Sequence, residues 1–330
     1  MEEVRTTYQR SKPFNPCLRP QTPEDQIPGL QREILQLKEK LNAVILAHNY
    51  QVPEIQDIAD YVGDSLVLAR QAAATKADVI VFCGVYFMAE TAKILNPNRL
   101  VLIPDKEAGC SLVDDCPVEK LAKVQASNPN YYTIAYINSS AAVKARSDII
   151  CTSGNADRVV AAAPKDRDLL FVPDANLGRW AMQKTGRKMT LWDGSCHVHC
   201  RWTAEDIQKI RARYPDAVVV AHPECTAEVL ALADEVCSTE GMIRFAQRTP
   251  AKKIIVVTES GMTYRLQKEF PDKIFIPAPT AHMQCNECEY MKQNTLKKLY
   301  ECMVTQHPAI ELPPEIIEQA RRPIERMLAL

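Results

Sequence analysis

The sequence predicts an α/β protein of three quasi-equivalent α/β/α domains, each with a parallel sheet, in a pseudo-threefold arrangement around one centre. Three observations predict it. The strand-like segments Leu46–Tyr50, Ile134–Asn138 and Val220–Glu224 align on His48, Tyr136 and His222, and each anchor is followed 17 residues later by a hydroxyl, Ser65, Ser153 or Thr239. A cysteine follows each anchor at offsets of 62, 60 and 66, namely Cys110, Cys196 and Cys288. Within each repeat apolar strand-like runs alternate with helical stretches, the pattern of parallel sheets flanked by helices. The anchors lie 88 and 86 residues apart, far beyond solenoid periods of about 20–50 residues, so each repeat is a small domain. The expected division is a lead-in over 1–29, repeats over 30–124, 125–211 and 212–306, and a C-terminal segment over 307–330.

Pro13, Pro16, Pro20, Pro23 and Pro28 make the first 29 residues an extended lead-in. In the first repeat Ala43–Ala47 is an apolar strand, and Pro53 opens a helix expected to run through Tyr61. A short extra strand is expected before Asp64, and Asp64 and Ser65 then open a second helix through Ala74. Val79–Phe82 is the next strand, and Phe87–Leu95 is a helix broken by Asn96-Pro97-Asn98. Leu100–Ile103 is a third strand running toward Cys110. The order recurs with strands at Ile149–Cys151, Leu170–Val172 and Met189–Trp192, and again at Ala217–Ala221, Ile254–Val257 and Ile274–Ile276.

With 46% apolar and 25% charged residues, the chain has the composition of a globular protein. Its net charge of −1 provides no general field for nucleic acid or anionic lipid, so any anion must be held locally. No apolar run approaches the roughly 18 residues of a membrane span, and Met1–Arg5 lacks the apolar core of a signal peptide, so a cytoplasmic protein is expected. There the 12 cysteines are expected to be reduced, buried or metal-bound.

Ligands of parallel sheets bind outside the carboxyl ends of the strands, where His48, Tyr136 and His222 fall. Ser65, Ser153 and Thr239 are expected at helix N-caps, where hydroxyls, free N–H groups and the helix dipole would hold carboxylate or phosphate oxygens. The plainer alternative is that they only cap helices. Cys83, Cys151, Cys225 and Cys237 sit in apolar surroundings as small hydrophobes, and Cys17 and Cys302 lie outside the repeat. Cys116 and Cys200 lie near the repeated cysteines without counterparts in the other units. Cys285 and Cys288 form a C-x-x-C with no second such pair to complete a zinc site. Three thiolates at a pseudo-threefold centre suit a [4Fe-4S] cube, one per chain, whose fourth iron stays open as a Lewis acid. His197 and His199, next to Cys196, have no equivalents in the other repeats and are expected to have structural or supporting roles.

The segments Ala47–Gln56, Gly63-Asp64-Ser65, Phe87–Leu95, Tyr136–Ser140, Pro173–Gly178, His222–Cys225 and Ser238-Thr239 closely resemble the quinolinate synthase family of bacterial NAD biosynthesis, over about residues 30 to 330. The resemblance implies three domains around a [4Fe-4S] cluster and a synthase of the transferase class. It would condense iminoaspartate with dihydroxyacetone phosphate to quinolinate, phosphate and two waters. It also implies a functional link to an iminoaspartate-producing enzyme and to iron-sulfur assembly proteins.

As cluster ligands the resemblance implies Cys110, Cys196 and Cys288, choosing Cys288 over Cys285 because Met291 follows it by three; where some relatives carry another cysteine, this chain has His282. As substrate contacts it implies His48, Ser65, Tyr136, Ile137, Asn138, Ser153, His222, Pro223, Glu224 and Thr239, and our candidates for proton movement are His48, Tyr50 and Glu224. Two rival classes remain. A zinc lyase or hydrolase would use Cys196, His199 and a neighbour, and a thiol redox scaffold would use Cys285 and Cys288.

Overall fold

The computed structural model describes residues 22–280 and 286–330. The first sheet contains β1 (Ala43–His48), β2 (Tyr61–Gly63), β3 (Val79–Cys83) and β4 (Leu100–Leu102), in the order β2-β1-β3-β4. The second contains β5 (Tyr131–Tyr136), β6 (Ile149–Cys151), β7 (Asp168–Val172) and β8 (Thr190–Leu191), and the third β9 (Val218–Ala221), β10 (Glu235–Val236), β11 (Lys253–Val257) and β12 (Ile274–Pro277). Their orders are β6-β5-β7-β8 and β10-β9-β11-β12, the same as the first, and every ladder is parallel. Register repeats as well: Ala47 pairs with Cys83, Ala135 with Val172 and Ala221 with Val257. Each pair joins the residue before an anchor to the last residue of the neighbouring strand. The expected three α/β units are therefore present.

A device absent from the sequence reading fixes the start of the second strand in each sheet. Asp60, Asp148 and Asp234 stand 12 residues after the three anchors. Each carboxylate accepts a backbone N–H from the first strand of its unit, Ile45 (2.8 Å), Thr133 (2.7 Å) and Val219 (2.8 Å). The backbone N–H of each aspartate donates in return to the carbonyl of the same residue, at 2.9, 3.0 and 2.8 Å. This bracket explains one difference from expectation. The helix opened by Pro53 stops at Gln56 rather than Tyr61, because Asp60 is drawn to Ile45 and Tyr61 enters β2.

A helix, Ile27–Lys40, begins inside the expected lead-in and packs with the helix Leu296–Thr305 on one face of the first sheet. There Ile34, Leu296, Leu299 and Met303 bury Ile45, Ala47, Val79 and Val81. Trp202, Ile207 and Ile210 cover one face of the third sheet. The remaining faces merge into one core that runs through all three units, including Leu46, Ile134 and Val220. The helix Pro314–Ala329 adds Ile324 and Met327 to that core. Just before it, Ile310 N–H donates to Val101 O (2.8 Å) and Ile103 N–H to Pro308 O (3.2 Å), which covers the edge of β4. The helix Val118–Ser127 spans the junction expected at residues 124 and 125. Among the described residues, no helix is long and apolar enough to cross a membrane.

Candidate active site

His48 ends β1, Tyr136 ends β5 and His222 directly follows β9, so three strand ends deliver three buried rings to one place. They line one shared cavity. Ser65, Ser153 and Thr239 lie on its wall, as do Tyr50, Asn138 and Glu224. Cys110, Cys196 and Cys288 lie on it too. Of the expected site residues, Ile137 and Pro223 are not on the wall. Ile137 points into the core, and its N–H donates to Cys151 O at 2.8 Å.

The three hydroxyls are placed differently from the N-caps that were expected. Asp64 caps the helix Ser65–Ala74, its Oδ1 accepting from the N–H groups of Leu66 and Val67 at 3.0 Å each. Ser65 is the first residue of that helix. Ser238 caps the helix that begins at Thr239, and Asn155 precedes the helix Ala156–Ala162, two residues beyond Ser153. A carboxylate already fills the first helix start, so the side-chain hydroxyls, more than open helix ends, face the cavity. Thr239 Oγ1 also accepts from Asn49 Nδ2 at 2.7 Å, which ties the first unit to the third.

The two anchor histidines are built alike. His48 Nδ1 accepts the N–H of Tyr50 (3.2 Å), and His222 Nδ1 accepts the N–H of Glu224 (3.4 Å). Each contact assigns the remaining ring proton to Nε2 in the neutral form. His222 Nε2 lies 3.2 Å from Ser153 Oγ, so this proton goes to the second unit. Burial lowers both rings to about 3, with His222 adding to the effect on His48. Both are neutral donors near neutral pH.

Glu224 is 3% exposed. Burial alone favours its neutral acid, but His199 Nδ1 at 2.7 Å and the nearby Tyr136 hydroxyl hold it as a carboxylate, lowered to about 2. His199 stacks on His222 with ring centroids 4.6 Å apart. Its Nε2 lies 2.9 Å from Thr258 Oγ1, and that oxygen lies 2.6 Å from the hydroxyl of Tyr50. A continuous line of contacts thus runs Tyr50, Thr258, His199, Glu224. His199, expected in a structural or supporting role, contacts both Thr258 and Glu224 on this line. His197 turns to Ser111 Oγ (3.0 Å) and lies edge-on to Tyr290 (5.7 Å).

Thr258 and Glu259 follow β11 and escaped the sequence reading, although Asp174 follows β7 at the equivalent position and offered a signal. Glu259 is fully buried and pairs with Lys292 Nζ at 2.8 Å. Its Oε1 accepts Cys288 N–H at 3.0 Å and its Oε2 accepts Gly261 N–H at 2.7 Å, while Lys292 Nζ also donates to the Tyr50 carbonyl. Gly261 is packed so close that an added Cβ would stand 2.9 Å from Tyr50 Cα. The Cys288 loop, the end of β11 and the Tyr50 turn are thereby held as one piece.

The three cavity cysteines are half-buried because they face this interior space. Burial pushes the thiols of Cys110 and Cys196 well up, and proximity to one another adds to it; burial raises Cys288 to about 12. A cation held among such thiols would favour their thiolates. Cys83, Cys151 and Cys225 are buried as expected of small hydrophobes. Cys17, His282 and Cys285 lie outside the described residues. Two buried oxygens of cavity residues, Asn138 Oδ1 and Glu224 Oε1, have no hydrogen-bond partner among the described residues.

The chain matches the family profile described as "NadA: Quinolinate synthetase A protein" over residues 32–329. It is 54% identical over 299 residues to the quinolinate synthase of Synechococcus sp., covering 90% of this chain and 93% of that one. It is similarly 52% identical over 313 residues to the quinolinate synthase of Thermosynechococcus vestitus, covering 94% and 97%. Over 326 residues it is 51% identical to that of Gloeothece citriformis, covering 98% of both.

Proposed function

We propose, because the chain belongs to the quinolinate synthetase A protein family, that it condenses iminoaspartate with dihydroxyacetone phosphate to give quinolinate, phosphate and two waters. The observation that carries this reading is the convergence of Cys110, Cys196 and Cys288 on one cavity with His48, Tyr136, His222 and Glu224, from three separate sheets. The donor set fits a [4Fe-4S] cluster. Three thiols that burial keeps protonated are gathered where a cationic group would stabilise their thiolates. When bound, the cluster supplies one iron without a cysteine ligand, a Lewis acid for an oxygen or nitrogen of the substrate.

The protein groups divide the remaining work. Neutral His48 and the hydroxyls of Ser65, Ser153 and Thr239 donate to carboxylate and phosphate oxygens. Asn138 Oδ1 stands ready to accept a hydrogen bond from the imine or amine nitrogen. Glu224, a carboxylate with one oxygen unpartnered, is the base that removes a carbon-bound proton. Tyr50, protonated because burial raises its hydroxyl, gives a proton to a departing hydroxide, and Thr258 and His199 connect it back to Glu224. His222 holds Glu224 and Ser153 in register. The iminoaspartate is unstable in water, so an enzyme that makes it and proteins that deliver iron and sulfide are the partners this reading requires.

The test combines two measurements on anaerobically reconstituted chain labelled with iron-57. Quinolinate should form from the two substrates, and a Mössbauer spectrum should show a [4Fe-4S] cluster in which one iron changes when quinolinate is added. A chain that builds no cluster, or makes no quinolinate with an intact one, would sink the proposal. The zinc enzyme is the second reading that an observation favours, since Cys196, His199 and Glu224 bring three ligand atoms within 4.8 Å of one another; it predicts colourless active protein.

A further inference from the structure

We propose that the cluster-free chain binds a divalent thiophilic cation, Zn²⁺ above all, through Cys196 Sγ, His199 Nδ1 and a carboxylate oxygen of Glu224, and that this ion blocks loading of the cluster. The blocking, unlike the site itself, rests on the reading of Cys196 as a cluster ligand.

The three ligand atoms lie within 4.8 Å of one another. His199 Nδ1 is 3.2 Å from Cys196 Sγ and 2.7 Å from Glu224 Oε2. In a tetrahedral zinc shell with bonds of about 2.0–2.3 Å, neighbouring ligand atoms stand roughly 3.3–3.7 Å apart. His199 Nδ1 therefore needs to draw back from each neighbour by only about half an ångström, while Cys196 Sγ and the Glu224 oxygen, within 4.8 Å of each other, settle to the same spacing. The orienting partner of the histidine already exists. Thr258 Oγ1, 2.9 Å from Nε2, takes the Nε2 proton and turns the Nδ1 lone pair toward the ion, as partners of metal-bound histidines do.

Two further features point to a cation. Glu224 is 3% exposed, and its Oε1 has no partner among the described residues, so a buried carboxylate oxygen is available on the same side chain. Charge also balances at this set. One thiolate, one carboxylate and a neutral imidazole cancel Zn²⁺, whereas Cys110, Cys196 and Cys288 together would leave a buried excess negative charge. On binding, Zn–S, Zn–N and Zn–O bonds form as waters of the hydrated ion leave, the thiol proton of Cys196 goes to solvent, and the neutral His199 ring carries its one proton on Nε2. The ion would occupy Cys196, so iron and sulfide cannot use that ligand.

The test is an anaerobic titration of the full-length, cluster-free chain with Co²⁺ as a spectroscopic stand-in, followed by displacement with Zn²⁺. One cobalt per chain is expected, with charge-transfer intensity of a single thiolate. The signal should vanish in Cys196→Ser and persist in Cys110→Ser. Affinity for zinc should fall at least about a hundredfold in His199→Gln, since loss even of an orienting partner costs ten- to a hundredfold. A spectrum with three thiolates that is lost in Cys110→Ser, or the absence of stoichiometric cobalt binding by the unmutated chain, overturns the site. Zinc-loaded chain given iron and sulfide should remain colourless until a chelator removes the zinc; cluster assembly at the zinc-free rate overturns the blocking. If zinc-free chain also builds no cluster, it is the reading of Cys196 as a cluster ligand that fails, and the cobalt spectrum still decides the site.

Discussion

The hydroxyl of Tyr50 lies 2.6 Å from the hydroxyl of Thr258, a contact between residues 208 positions apart that joins the first unit to the third. Since Thr258 Oγ1 also meets His199 Nε2 at 2.9 Å, a proton lost at Tyr50 has a path back. Tyr50→Phe removes the donor and should lower kcat by about 10²–10³-fold, in the range of positioned acid-base groups. Thr258→Val keeps the shape but cuts the path, and a smaller loss of roughly tenfold is expected. Steady-state rates normalised to iron content check both. Near-normal turnover of Tyr50→Phe with a full cluster would take Tyr50 out of the chemistry.

Cluster content separates the three cavity cysteines from the rest. Cys110→Ala, Cys196→Ala and Cys288→Ala should each reconstitute with little of the four irons and four sulfides expected for one cube. Cys83→Ala and Cys151→Ala, buried away from the cavity, should keep the full amount. Iron and sulfide analysis after anaerobic reconstitution decides it, and full content in any of the first three would exclude that residue as a ligand.

Lys292 and Glu259 form a pair whose side chains are 2% and 0% exposed, at 2.8 Å. Lys292→Met leaves a buried carboxylate without its cation, and a loss of about 3–5 kcal/mol is expected, as for other broken buried pairs. Combining it with Glu259→Gln removes the charge as well and should restore most of that stability. Denaturant unfolding of the cluster-free chain measures the two. If the single and double variants are equally destabilised, charge burial is not what the pair resolves.

Asp148 carries the bracket of the second sheet. Asp148→Ala leaves the Thr133 N–H, 2.7 Å away in the native chain, without an acceptor. The expected cost is about 1–3 kcal/mol, seen as a lower unfolding midpoint. Asp148→Asn, which retains an oxygen, should lose less. Equal stability of the alanine variant and the parent would show that solvent substitutes for the carboxylate.

His48 and His222 give a pH dependence with a definite sign. Burial holds both near 3 in the folded chain, against 6.5 for an unperturbed histidine. Between those values the unfolded state binds more protons, so stability falls as pH drops below about 6.5, by at most about 1.4 kcal/mol per pH unit for each ring. Midpoints of unfolding for the cluster-free chain should decline from pH 7 to 5. The decline should be shallower in His48→Gln, and an unchanged slope would mean that His48 does not titrate as its burial requires.

Much of this architecture was legible in the order of residues. Apolar runs such as Val79–Phe82 and Ile254–Val257 set strands through short-range patterning, and the repeated offsets of the anchors, hydroxyls and cysteines announced three similar units with one centre. The Asp60, Asp148 and Asp234 brackets were legible too, as a third fixed offset, but aspartate before a short strand resembles any loop acid until its carboxylate is seen on Ile45, Thr133 or Val219. The N-cap assignment of Ser65 and Thr239 missed by one residue, since Asp64 and Ser238 are equally good caps and only backbone geometry chooses between neighbours.

The sequence by itself determined three parallel sheets, their strand ends and the residues carried there, because local hydrophobic pattern and turn chemistry act between near neighbours. Only the tertiary structure decided which side chains meet. Tyr50 with Thr258, Lys292 with Glu259 and the Tyr50 carbonyl, and His199 with Glu224 join separate stretches of chain. Their protonation follows from burial and from those partners, and both exist only once the three units close around the cavity.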